Sequence, residues 1–208
     1  VGISLGLVSV YLETGQWLKG LDLLDKAGDF AKEVYRNRIE SLYVLAHHKA
    51  GNENDALAHL SGVICEDENS LNAILAGAAI SFSRKEYDSA LKYAKTAYEF
   101  NPKNPLTLVW LAKILKEEGH TSDAVTLLRQ IDSTANSDII AEHLQLVREL
   151  SGEDEYLRQL ENASAQHNHH PQLLYMKAIE AAKNNHKSDA LSCIRQALRE
   201  DGQVAEYH

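Results

Sequence analysis

The chain has 208 residues, 44% of them hydrophobic and 25% charged, with three prolines, 11 glycines and a formal net charge of -9. This composition excludes a disordered chain, and no apolar run of about 18 residues is present to span a membrane. The acidic balance argues against nucleic acid and against anionic lipid, both of which are bound mainly through Lys and Arg. A solvated acidic surface that keeps the chain soluble accounts for it.

Val1 to Val10 is apolar, but it has no basic flank before it and no cleavage site after it, so it does not read as a signal peptide. Ile3 to Glu13 predicts a helix carrying Leu5, Val8, Val10 and Leu12, broken at Gly15. A second helix is expected from Trp17 to about Ala27, with Gly28-Asp29 as a loose link. Ile39, Leu42, Tyr43 and Ala46 mark the next helix, which stops at Gly51-Asn52, and Asn54 or Asp55 is the expected start of its partner. Asn69-Ser70 is expected to cap a helix from Leu71 to Arg84, with Leu75, Ala78, Ala79 and Phe82 on its apolar face.

From Lys85 to Pro102, Tyr87, Ala90, Ala94 and Ala97 fall on one helical face, a stripe small enough to let another helix lie close. Asn101-Pro102 ends that helix. Pro105 opens the next, followed by Leu108, Leu111, Ala112 and Leu115 at helical spacing, and Thr121-Ser122-Asp123 is expected to cap its partner. Ser137 to His170 is the least regular stretch: Leu157 stands where a small residue belongs and Glu161 takes the next buried slot. Tyr156, Leu160 and Ala163 fit a register moved by one residue. Pro171 opens the last pair in the slot that Pro105 occupies earlier.

These elements repeat. Gly15-x-Trp17-x-x-Gly20-x-x-x-Leu24-x-x-Ala27 recurs from Gly51, from Lys85, from Gly119 and from Asn185. The small residue stands at 20, 56, 90, 124 and 190, in steps of 36, 34, 34 and 66, the last being two steps of 33. A fixed step of this size marks a stacked-repeat protein. The pattern resembles the tetratricopeptide repeat family, whose unit is a helix, a turn and a helix. The resemblance implies an all-α chain, a right-handed α-α superhelix of about six helix pairs. The expected units are 3–34, 37–70, 71–104, 105–136, 137–170 and 171–204 of one array. Neither end reads as a polar capping unit, and Val204-Ala-Glu-Tyr-His could begin another repeat, so a segment of a longer array is expected.

Chemistry is sparse along the chain. His167-Asn-His-His170 is the densest of the histidine clusters, but one loop without further ligands makes no closed metal site, and a solvated linker is the plainer reading. His47 and His48 point about a quarter turn apart and cannot chelate together. Cys65 and Cys193 fall in distant units and are expected to be single buried thiols. No nucleophile elbow, phosphate loop or catalytic carboxylate pair is present, and the sequon at Asn162-Ala163-Ser164 is too common by chance to weigh. The expectation is therefore a chain that is not an enzyme and holds no cofactor.

What remains is the concave face that the resemblance implies, lined by the first helix of each unit. Its candidate residues are Leu45, His48, Asn72, Leu75, Ala79, Phe82, Leu106, Val109, Lys113, Lys116, Leu146, Tyr175 and Ile179. The carboxylate clamp of the family's chaperone co-factors is not expected: its slots hold Ser41, Leu45, Ala76, Leu106 and Trp110 in units two to four. Units four to six put Val109, Lys113, His143, Gln172 and Met176 there. An apolar groove of this kind suits a peptide or an amphipathic helix. A homodimer through the end helices is the rival, and a regulatory part of a larger protein, such as a bacterial envelope export or assembly component, is the other.

Overall fold

A computed structural model describes residues 2–26, 34–131, 137–167 and 169–200. The expected end of the second helix at Ala27, the link at Gly28-Asp29 and the terminal Val204 to His208 lie outside them. Twelve helices and no strands occur among the described residues. In chain order they are α1 (Gly2–Glu13), α2 (Trp17–Asp25), α3 (Arg36–Lys49), α4 (Glu53–Leu60), α5 (Glu68–Ser83) and α6 (Tyr87–Phe100). Then come α7 (Pro105–Glu117), α8 (Thr121–Leu128), α9 (Ser137–Ser151), α10 (Glu153–Gln166), α11 (Pro171–Lys183) and α12 (Lys187–Glu200).

A left-handed residue follows every odd-numbered helix: Gly15, Gly51, Lys85, Gly119, Gly152 and Asn185 have φ between 58° and 89°. At the first of these turns Gln16 N–H donates to Tyr11 O at 2.7 Å and Gly15 N–H to Leu12 O at 3.3 Å, which satisfies carbonyls that the helix end would otherwise leave open. The chain reverses there, and the next helix returns along the first. Glycine takes this conformation without a Cβ penalty, whereas Lys85 carries one.

The chain forms two compact units, residues 1–119 and 120–208. In the first, α5 is the central element and packs against α3, α4, α6 and α7. Leu71, Ala73, Ile74, Leu75, Ala76 and Ile80 of α5 join Val44, Ala56, Leu60 and Ala97 in one core. A second core joins Leu5 and Val8 of α1, Leu24 of α2 and Ile39, Leu42 and Tyr43 of α3. Ala56, Ala90, Ala94 and Ala97 are fully buried, as a close helix–helix approach requires. Gly77 marks the tightest approach, since a Cβ there would collide with Leu60 Cδ2.

In the second unit, α9 packs on α8, α10 and α11, and α12 packs on α11. Gly152 is itself the residue before α10, whereas each earlier turn places one more residue there, such as Gln16 before α2 and Glu86 before α6. The turn is one residue shorter, so the buried stripe moves back by one. Tyr156, Leu160 and Ala163 are buried, while Leu157 and Glu161 are exposed. The Arg148 guanidinium lies 4.9 Å from the Tyr156 ring centre and ties α9 to Glu153 at 2.9 Å and to the buried Glu180 at 3.4 Å.

Three expected caps differ. The cap of α5 is Asp67 rather than Asn69-Ser70: Ser70 N–H donates to Asp67 Oδ1 at 2.8 Å, and Asp67 N–H donates to Ser70 Oγ at 2.9 Å. Thr121 to Asp123 form the first turn of α8 behind His120, with no side-chain cap. Likewise α4 starts at Glu53, ahead of Asn54 and Asp55, because the fixed turn after Gly51 sets its entry. Between α4 and α5, Asn37 of α3 clasps the linker: its amide donates to Ile64 O at 2.8 Å and accepts from Ile64 N–H at 2.7 Å.

Candidate functional site

Successive helix pairs of the first unit leave a groove of about 490 Å³. The odd-numbered helices α1, α3, α5 and α7 supply its lining. Leu45, His48, Asn72, Leu75, Ala79 and Leu106 meet there, together with Ser9, Leu12, Glu13, Leu42, Lys49, Asn69, Ala76 and Trp110. Leu45 and His48 stand one turn apart on α3, as do Leu75 and Ala79 on α5, which is why spacing alone brings them onto one wall.

Trp110 is the largest side chain in this groove, and slot counting along the sequence does not select it. It stands four residues after Leu106, so helical spacing does carry the signal; counted by slot, it reads only as a misfit for a clamp. Phe82 packs edge-on against Trp110 at 5.9 Å and against Tyr87 at 5.6 Å. Lys113 Nζ lies 4.6 Å over the Trp110 ring, a cation–π contact at the groove's edge. Lys116 pairs with Glu117 at 3.4 Å.

The electrostatics keep the floor uncharged. Burial holds the His48 imidazole below its ordinary pKa, and the neighbouring Lys49 cation adds to the effect. His48 is therefore neutral near pH 7, and the fixed charges are those of Glu13 and Lys49 at the margins.

Other candidates stand elsewhere. Val109 is 0% exposed and belongs to the core, because its slot on α7 faces the packed side. Leu146 is 4% exposed and is likewise core, in the second unit. Tyr175 and Ile179 are exposed on α11 of that unit, one turn apart. Cys65 and Cys193 are free and half-buried rather than fully buried; burial, with help from Asp67, raises the Cys65 thiol pKa.

A second cluster lies on the other side of α3. Tyr43 and His59 stack at 4.4 Å with ring planes 8° apart, and His47 stacks on His59 at 5.5 Å. Tyr43 OH donates to Asp25 Oδ1 at 2.7 Å, and His59 Nδ1 lies 2.7 Å from Glu40 Oε2. These bonds link α2, α3 and α4. Among the described residues no group of three His, Cys, Asp or Glu side chains has a metal-holding arrangement. In the second unit His169 pairs with Glu200 at 2.7 Å.

Comparison with known proteins places this geometry. Residues 81–146 match a family model described as Tetratricopeptide repeat. Over residues 81–146 the chain is similar to tetratricopeptide repeats. PilF of Pseudomonas aeruginosa has a similar fold, with TM-score 0.65 and 13% identity over 95% of this chain and 90% of that one. A structure named MamA MSR-1 C2 is similar with TM-score 0.51 and 17% identity, over 84% of this chain and 99% of that one. No curated protein matches the sequence. The repeat is, as a class, a framework for protein–protein interaction, and no described helix is long and apolar enough to cross a membrane.

Proposed function

We propose that this repeat protein is a non-catalytic scaffold that holds an apolar peptide or an amphipathic helix in the groove of residues 1–119. The observation that carries the reading is the groove itself: leucines from four helices, two uncharged amides at Asn69 and Asn72, and a half-buried Trp110 flanked by a lysine. Half-buried tryptophan is the residue type that most often anchors a partner. A rigid framework presents these groups without ordering cost at each encounter. The division into six repeats of one array is part of the proposal and is supported by the pairing of α1 with α2, α3 with α4, α5 with α6, α9 with α10 and α11 with α12.

The test is a display selection of helical peptides against the full chain. Ala79→Arg and Leu106→Glu place charge on half-buried groove positions without opening a core. The selected peptides are expected to lose at least about tenfold in affinity for either variant and to keep it for Tyr175→Ala. Retention on both groove variants would remove the reading.

Self-association is the second reading, favoured by one observation. Leu191, Ile194 and Leu198 make an exposed stripe along α12, at 53%, 38% and 57%. Light scattering over a concentration range checks it: a dimer dissolved by Leu191→Glu with Leu198→Glu supports this reading, and a monomer throughout sinks it.

A further inference from the structure

The second unit has a cleft of about 820 Å³ over α9, between α8 and α10. It shares no residue with the groove. Its volume is in the range of small-molecule sites, roughly 300–1,000 Å³. The floor is apolar, with Leu128, Ile140 and Leu144 all buried. One polar side chain interrupts it: His143, only 5% exposed, whose Nε2 has no hydrogen-bond partner. A buried donor or acceptor left unmade is costly, and native structures rarely leave one without a reason. Desolvation lowers the His143 pKa to about 4, so near pH 7 the ring is neutral and able to give or accept one hydrogen bond at that atom.

The rim carries two guanidiniums with different duties. Arg158 is held by Glu155 through two bonds of 3.0 and 2.6 Å, and Gln159 donates to the same carboxylate at 2.6 Å. Those partners hold the Glu155 pKa near 2 and neutralise its charge. Arg129 also acts on Glu155 through its charge, so two guanidiniums meet one carboxylate and the rim keeps a surplus of positive charge. In a chain of net charge -9, a cleft with polar walls, an apolar floor, a surplus of positive charge at its mouth and an unmet polar atom in its floor is a specific combination.

We propose that this cleft binds a small organic carboxylate with an apolar body, its carboxylate on Arg129, its body over Leu128, Ile140 and Leu144, and a hydroxyl on His143 Nε2. The site is independent of the groove reading. The occupant is a free small molecule, because the cleft's volume falls in the range of small-molecule sites.

The test titrates the full chain with 3-(4-hydroxyphenyl)propionate, followed by the His143 ring resonances in NMR. Three comparisons accompany it: the neutral amide of the same acid, 3-phenylpropionate, and a peptide ending in tyrosine. The expected result is saturable binding that shifts His143, weakened about tenfold in the amide and by a similar factor in 3-phenylpropionate. Arg129→Ala, at an exposed position, is expected to weaken the acid about tenfold and to leave the amide unchanged. Absence of saturable shifts at His143 overturns the proposal, as does equal affinity for acid and amide. Binding of the peptide alone overturns the small-molecule assignment and turns the cleft into a peptide site.

Discussion

The pairs α5/α6 and α9/α10 use the same architecture with different packing. In α6 the buried stripe is Ala90, Ala94 and Ala97, and the helices meet closely. In α10 it is Tyr156, Leu160 and Ala163, moved back by one residue because the turn at Gly152 is one residue shorter. Turn length, not side-chain size, decides which residue faces inward. Once Tyr156 faces inward, the second unit needs room for a phenol, and the Arg148, Glu153, Glu180 and Lys183 network closes around it. Burial and the Glu180 carboxylate raise the Tyr156 pKa to about 12, so it stays neutral.

The contrast breaks most sharply at the phenol itself. Tyr156→Ala should cost about 3–5 kcal/mol, by analogy with other aromatic truncations, and calorimetry on the full chain should show the loss in the second unit's transition. No alanine of the α6 stripe offers a comparable truncation.

Acidification separates the units next. His143 is neutral in the fold, with its pKa near 4 against an ordinary value of 6.5. The unfolded chain therefore binds the extra proton between those values. Stability is full above about pH 6.5 and falls by up to about 3 kcal/mol as pH drops towards 4. His143→Leu should flatten that part of the stability–pH curve, and an unchanged slope would count against the burial of this ring. His47 and His48 are also lowered by burial and push the first unit in the same direction.

Gly77→Ala probes the tight approach in the first unit. The new Cβ meets Leu60 within the core, so a loss of about 1–3 kcal/mol is expected by urea denaturation. Gly20→Ala has the opposite expectation. Its Cβ would find Leu12 at 3.5 Å and Val8 at 3.7 Å, ordinary contacts, on a helical backbone. A gain of about 0.5–1 kcal/mol should follow. Lys85→Gly should give a smaller gain, below about 1 kcal/mol, by relieving the left-handed penalty while adding backbone entropy to the unfolded chain.

The repeat was legible because the turn residue and the small residue recur at a fixed interval, and the odd register at Tyr156 could be read from Leu157 and Glu161 standing in the wrong slots. The groove was readable in part. Leu45, His48, Asn72, Leu75, Ala79 and Leu106 converge because helical spacing puts them on one face. Val109 and Leu146 failed because slot counting cannot tell a groove wall from the packed side of the same helix. Caps were misplaced at Asn69 and Thr121 because several Asn, Ser, Thr and Asp residues compete there, and only the backbone path selects one. The cleft at His143 left no trace in the sequence: nothing near a single histidine in a helix says that its second nitrogen will go unmet.

The clasp from Asn37 to Ile64 has a chemical lifetime. One side-chain amide serves as both donor and acceptor to the backbone of a single residue, 27 positions along the chain. Slow hydrolysis of that amide to a carboxylate would keep the acceptor and remove the donor, setting a negative oxygen against the Ile64 carbonyl. The linker between α4 and α5 would come off α3 and become the first place a protease could cut. The age of a preparation would then show as a nick between residues 61 and 67, before any helix is lost.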